Sequence, residues 1–248
     1  MNESYGGFAE LYDEFMADVD YDGWCEYIGR IFARFGAAPE LVLDLGCGTG
    51  NVSRRLKGMG LDVIGIDKSA DMLAVAKAKD PDILYIQQDI RAFELYGTVD
   101  ACVSLCDVLN YCLTKSDLMR VFKLVHNYLN PGGLFIFDIN TAYKYRRVLG
   151  NRLIARQNKR AAIIWDNRYY PKNRINEYRL TFFKKRDNGM FARFFERHLQ
   201  RAHPPPLIHR LLKSTGFTVL GVYDEKTFRH PRARAQRVFF VARKNPSG

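Results

Sequence analysis

The 248 residues carry 47% apolar side chains, enough to build the core of one large domain and to exclude disorder as the default state. No apolar run approaches the ~18 residues of a membrane span. Met1-Asn2-Glu3 opens acidic with no apolar stretch behind it, and the five cysteines form no C-x-x-C pair, so a cytoplasmic protein with free thiols is expected, without secretory signal, membrane association, disulfides or metal. The net charge of +11 is unevenly spread: residues 1–140 hold 12 Lys/Arg against 21 Asp/Glu, net −9, and residues 141–248 hold 26 against 6, net +20. That split predicts either an anionic partner for the second half or a basic solvated surface.

In chain order, positions 5, 8, 9, 12 and 16 recur at helical spacing, and residues 22–35 repeat the pattern with Trp24, Tyr27, Ile28, Ile31 and Phe35 on one side. Leu41 to Leu45 then run into Gly46-Cys47-Gly48-Thr49-Gly50, with an amphipathic stretch over 51–59. This predicts a buried strand, a glycine turn and the start of a helix. The spacing G-x-G-x-G fits neither G-x-G-x-x-G nor the phosphate loop. Asp44, just before the turn, would repel a pyrophosphate but accept from an ammonium group. That favours a cofactor with a positive amino-acid end, such as S-adenosylmethionine. A second strand over 62–67 ends at Asp67, 21 positions after Gly46, where an acid suits a ribose diol. Ser69 caps a helix to Lys79, with Met72 and Leu73 on its apolar side, and a third strand over 83–89 ends at Asp89.

A fourth strand over 99–105 opens into Cys106-Asp107-Val108-Leu109-Asn110-Tyr111. No Asn/Asp-Pro-Pro-aromatic turn stands there, which argues against methylation of exocyclic base amines, and no motif marks Cys106 as a nucleophile. Thr114 to Asp117 read as a capping box, Asn130-Pro131-Gly132-Gly133 as a helix stop, and 134–139 as the fifth strand. Residues 140–203 then break the alternation with three strands, 161–170, 175–186 and 190–202, the last two joined through Asp187-Asn188-Gly189. On the last of these Phe194, Glu196, His198 and Gln200 share one face, while Arg193, Phe195, Arg197, Leu199 and Arg201 share the other. Glu196 is thus placed to orient His198 as a proton acceptor, and a hydrogen-bonded structural histidine fits the same pattern. A helix over 207–214 and strands over 218–224 and 236–244 close the sheet, the last strand antiparallel. The loop between them carries Arg229, Arg232, Arg234 and Arg237, a phosphate grip or a solvated loop.

Asp44 to Gly50, Asp67 and Asp89-Ile90 resemble the cofactor motifs of class I S-adenosylmethionine-dependent methyltransferases. Tyr5-x-x-Phe8-Ala9-x-x-Tyr12-Asp13-x-x-Met16, Tyr21-Asp22-x-Trp24, Cys106-Asp107-x-x-Asn110-Tyr111 and Glu196-x-His198-x-Gln200-Arg201 resemble the YqeM-type bacterial methyltransferases. The resemblance implies an α/β, Rossmann-like seven-stranded sheet with an antiparallel β insertion after the fifth strand. Residues 1–139 and 204–248 would form the cofactor domain, with cap helices in 1–38, and 140–203 an acceptor lid.

The same resemblance implies S-adenosylmethionine as cofactor, S-adenosylhomocysteine as product, and no metal. It places Asp44, Gly46, Gly48 and Gly50 at the methionine end and Asp67 on the ribose, with Tyr5, Tyr12, Cys47 and Cys106 as further cofactor-binding candidates. Lys68, Met72, Asp89 and Ile90 would surround the adenine. Asn110, Tyr111 and His198 are the candidate catalytic residues, and Trp24, Glu196 and Arg201 the candidate acceptor-binding ones. The expected reaction is methyl transfer to N or O of a small anionic acceptor matched to the basic lid. RNA methylation by the arginine-rich half and a non-catalytic cofactor-binding regulator are the alternatives.

Overall fold

The computed structural model describes residues 6–245. Two helices, α1 (Gly6–Phe15) and α2 (Tyr21–Arg34), precede a βα alternation. It comprises β1 (Leu41–Leu45), α3 (Asn51–Gly58), β2 (Asp62–Asp67), α4 (Ala70–Lys79), β3 (Leu84–Gln87), β4 (Val99–Ser104), α5 (Lys115–Tyr128) and β5 (Leu129–Asn140). Then come β6 (Arg152–Gln157), β7 (Ala161–Tyr170), β8 (Ile175–Lys185) and β9 (Phe191–Arg201), and last α6 (Pro205–Ser214), β10 (Phe217–Asp224) and β11 (Arg237–Lys244). The main sheet has the order β10-β11-β5-β4-β1-β2-β3. Its five central and edge strands from β3 to β5 run parallel, whereas β11 is antiparallel to both β5 and β10, as the sequence led us to expect. Among the described residues no helix is long and apolar enough to cross a membrane.

Period-two alternation divides the core into two layers. On β5, Phe135 and Phe137 join Phe122 of α5 and Phe240 of β11 on one face, while Leu134 and Ile136 face Ile28 and Ile31 of α2 on the other. Local chemistry sets the helix starts. Ser69 accepts from the Met72 amide, and Thr114 and Asp117 form the expected capping box. α5 ends at Tyr128, just before Asn130-Pro131-Gly132-Gly133 as expected, and those four residues lie inside β5 as an irregularity between the pairs Val99–Leu129 and Ala101–Leu134.

The insertion differs from expectation in one element. The lid sheet has four strands, ordered β6-β7-β8-β9 and antiparallel throughout, where three were expected. The extra strand, β6, is an edge: five of its six residues are exposed, so nothing in its side chains alternates. A π-helical turn over Lys144–Leu149 leads into it. The lid's inner face packs Tyr178, Leu180 and Phe182 against Tyr12 and Phe15 of α1 and against Met72 of α4. The insertion therefore rests on α1 and α4.

Candidate active site

The glycine turn hangs from β2: both Gly46 and Cys47 donate their amides to the Ile66 carbonyl, at 2.7 and 2.9 Å. Gly46 sits at φ +82°, and a Cβ there would meet the Val108 side chain at 2.5 Å, so the turn presses directly on the Cys106–Tyr111 segment. At Gly48 a Cβ would meet no atom within 4 Å, which leaves open backbone for a ligand. Gly50 is the N-cap of α3. Asp44 is buried and accepts from Ser53 Oγ at 2.6 Å. Burial pushes its carboxyl up to about 7, with the Ser53 bond pulling the other way. Asp67 accepts from the Gly48 amide through Oδ2 and from the Ser69 amide through Oδ1, both at 2.9 Å. An open turn, a buried carboxylate and a second acid on the turn's amide fit an adenosyl cofactor with an ammonium end. Among the described residues no group of three His, Cys, Asp or Glu side chains is placed to hold a metal ion.

The remaining cofactor candidates divide. Met72 and Tyr12 both pack on the lid cluster, bridging it to the cofactor half. Burial, then the neighbouring Tyr21 hydroxyl, raises the Tyr12 phenol well above its ordinary value. Ile90 is partly buried against the α5-side core. Lys68 is exposed, its carbonyl accepting from Gln87. Asp89 lies two residues beyond the end of β3, not on it, and both its oxygens accept from Arg91, whose guanidinium holds the carboxyl at about 2. Cys47 is buried, and burial drives its thiol far up. Tyr5 lies outside the described residues.

Asp13 is a residue the spacing analysis passed over, although it stands in the Tyr12-Asp13 motif. It accepts from Thr49 Oγ1 at 2.7 Å and Asn51 Nδ2 at 2.8 Å, and pairs with Lys79. Burial raises its carboxyl, but the bonds from Lys79, Thr49 and Asn51 outweigh it and leave the pKa lowered. One aspartate thus pins α1 across the glycine turn and α4.

The segment after β4 carries two consecutive non-glycine residues in the left-handed region, Cys106 at φ +64° and Asp107 at φ +55°. Such strain persists only where surroundings enforce it. Asp107 accepts from Arg237 Nη2 at 2.8 Å and Gln200 Nε2 at 2.6 Å, and its amide donates to Asp138 Oδ2 at 3.0 Å. Arg237 also pairs with Asp138, and its guanidinium stacks on the Trp24 ring, 4.8 Å from the centroid. Burial raises Asp138 to about 6 against the pull of Arg237. The Cys106 thiol is pushed far up by burial and then by Asp138, which favours its neutral form. Two of the four loop arginines are therefore internal partners: Arg237 here, and Arg232 on Asp224 at 2.6 Å. Trp24 is 5% exposed, and its indole N–H donates to Glu225 at 3.1 Å.

Three candidates meet in a line. Tyr111 Oη lies 3.4 Å from His198 Nδ1, and His198 Nε2 lies 2.8 Å from Glu196 Oε2. With Glu196 ionised, Nε2 carries the proton and Nδ1 is the acceptor facing the phenol. Asn110, fully buried, donates to the carbonyls of Asn140 and Arg201 and accepts from the Asn140 amide, locking the segment to β5 and the lid. Beside the line, Trp165 and Tyr178 meet edge to face at 5.2 Å. Glu196 Oε1 and Trp165 Nε1 are buried with no hydrogen-bond partner among the described residues.

Arg201 falls elsewhere. Strand alternation turns it away from His198, into a groove with Lys115, Arg174 and Arg210. Arg193 and Arg197 are exposed on the same far face of β9, opposite Glu196 and His198, as the strand alternation led us to expect.

Residues 42–133 match the family model described as "Methyltransferase domain". The chain is 36% identical over 245 residues to YqeM of Bacillus subtilis (strain 168), a protein named as a methyltransferase, covering 97% of each chain. It is 30% identical over 134 residues to the dTDP-4-amino-2,3,4,6-tetradeoxy-D-glucose N,N-dimethyltransferase of Saccharopolyspora spinosa, 52% of this chain and 53% of that one. A solved S-adenosylmethionine-dependent methyltransferase from Clostridium acetobutylicum ATCC 824 superposes with a TM-score of 0.87 at 30% identity, over 97% of this chain and 99% of that one.

Proposed function

The chain belongs to the YqeM-type family of S-adenosylmethionine-dependent methyltransferases, and on that footing we propose that it methylates a nitrogen or oxygen of a small acceptor held beneath the lid, with an amine the favoured group. The observation that carries this reading is the Tyr111–His198–Glu196 line beside the Trp165 and Tyr178 rings, with Glu196 Oε1 buried and without a donor among the described residues. An ammonium or amine N–H supplies that donor, and the rings of Trp165, Tyr178 and Tyr111 suit a cation. The expectation of an anionic acceptor rested on the lid's arginines, and those face outward.

When bound, S-adenosylmethionine supplies an activated methyl on a sulfonium. Asp44 holds its ammonium, Asp67 its ribose, and the open backbone at Gly48 lets both approach. Asn110 fixes the Cys106–Tyr111 segment so that the Tyr111 hydroxyl reaches the acceptor. His198 Nδ1 takes up the proton an acceptor amine loses, passed through the Tyr111 hydroxyl, and Glu196 stabilises the imidazolium that results. Much of the rate comes from positioning, because the sulfonium is already reactive. The amino-sugar N,N-dimethyltransferase among the relatives supports an amine acceptor.

A second reading rests on the outer lid face, where exposed Phe191 and Phe195 lie beside Arg193 and Arg197 on β9, an arrangement that can stack and grip RNA. Incubation of the protein with methyl-labelled S-adenosylmethionine and a fractionated lysate of the source organism separates the two. Label in the small-molecule amine fraction is the expected result. Label confined to RNA overturns the metabolite reading, and tight cofactor binding with no labelled product anywhere supports a non-catalytic regulator.

A further inference from the structure

We propose that the groove between the lid and the starts of α5 and α6 binds the phosphate group of a small ligand. The groove encloses about 260 Å³ and is lined by Lys115, Arg174, Arg201, His203 and Arg210, with no carboxylate. Its four cations come from four separate places: the first residue of α5, the β7–β8 turn, the last residue of β9, and the second turn of α6. Among the described residues none of the four is ion-paired, whereas the half-buried Arg55 and Arg179 and the buried Arg237 each hold a carboxylate. Arg201 Nε is buried and has no hydrogen-bond partner among the described residues. Asp117, in the first turn of α5, is turned back onto Thr114 in the helix cap.

Four like charges converging on one cavity repel one another, and an oxyanion relieves that repulsion while accepting from several guanidinium N–H groups. Both helices point their positive ends at the groove, which favours an anion further. The α6 start contributes no amides from Pro205 and Pro206, so recognition falls to the side chains. The cavity holds several times the roughly 30 Å³ share of a water, room for a phosphate or diphosphate.

The groove backs directly onto the acceptor segment. The Arg201 carbonyl accepts from Asn110 Nδ2 at 2.8 Å, and His203 Nε2 lies 2.7 Å from the Cys112 carbonyl. A phosphate drawn to Arg201 therefore sits one residue's width behind Asn110–Cys112, on the side opposite His198. The site is separate from the cofactor turn and does not depend on the identity of the methyl acceptor.

The test is calorimetric titration of the full chain with inorganic pyrophosphate at constant ionic strength, with and without saturating S-adenosylmethionine, beside an Arg174→Gln/Arg210→Gln double variant. Both residues are exposed, so the variant is expected to keep its melting temperature and cofactor affinity. Saturable pyrophosphate binding, retained with cofactor bound and weakened about tenfold or more in the variant, is the expected result. Binding no stronger than that of ionic-strength-matched chloride overturns the proposal, as does equal binding by the variant. A single-stranded RNA oligonucleotide titrated in parallel closes the remaining route. If RNA binds through these two arginines while pyrophosphate does not, the groove belongs to a nucleic-acid surface and the small-ligand site is wrong.

Discussion

Asp44 makes cofactor affinity depend on pH in a calculable way. Burial holds its carboxyl at about 7, against an ordinary 3.8, because among the described residues the only side-chain donor it meets is Ser53 Oγ. Without cofactor, the folded protein therefore keeps a proton that the unfolded chain has released. Stability from this group is fully present below pH ~4 and is lost as pH rises to about 7, by roughly 4 kcal/mol from a shift of about three units. A cofactor ammonium needs the ionised form. The ionised fraction rises from about one tenth at pH 6 to about one half at pH 7, so affinity should improve about fivefold across that interval, below the range in which an α-amino group loses its own proton. Calorimetric titration with S-adenosylhomocysteine at constant ionic strength reads this directly. Asp44→Asn should bind weakly and without the rise, and its own stability should no longer fall between pH 5 and 7. A wild-type affinity flat from pH 6 to 7, or an Asn variant that binds as tightly as wild type at pH 7.5, would refute the assignment of Asp44 to the ammonium.

Asp67→Ala removes the acceptor for the Gly48 and Ser69 amides as well as the ribose partner, and should weaken cofactor binding by ~1–3 kcal/mol; an unchanged dissociation constant rejects the ribose role. His198→Ala should leave cofactor affinity intact and lower turnover, and wild-type turnover would make His198 structural. Arg237→Met strands Asp138, which is fully buried, and should cost ~3–5 kcal/mol in denaturant unfolding, with Asp138→Asn recovering part of the loss in the double variant; additive losses would mean the pair is not coupled.

Local pattern carried the cofactor half. The strand–turn–helix from Leu41 to Gly58, the acid at Asp67 and the caps at Ser69 and Thr114 are set by neighbours within a few residues, and each is where spacing put it. The pairing of Glu196 with His198 was likewise legible, since a strand sets residues two apart on one face. What spacing could not supply is the partner from a distant segment. Arg237 looked like one more charge in a basic loop until the fold carried it 99 residues back to Asp138. Asp89 had the right chemistry for adenine, yet Arg91 engages both its oxygens. β6 has an edge strand's mixed polarity and became visible only through its pairing with β7.

The sequence by itself determined the strand–turn–helix of the cofactor half, its helix caps and the strands of the insertion, because glycine conformations, helix caps and strand periodicity act over a few bonds and need no distant partner. The methyltransferase reading came from the resemblance of its motifs to that family. The tertiary structure decided which way the charge points. Strand alternation and sheet closure turned the lid's arginines to solvent, put Glu196 and His198 inward, and gathered Lys115, Arg174, Arg201 and Arg210 around one groove. Net charge is a sum over residues, whereas the field a ligand meets depends on where folding places each one.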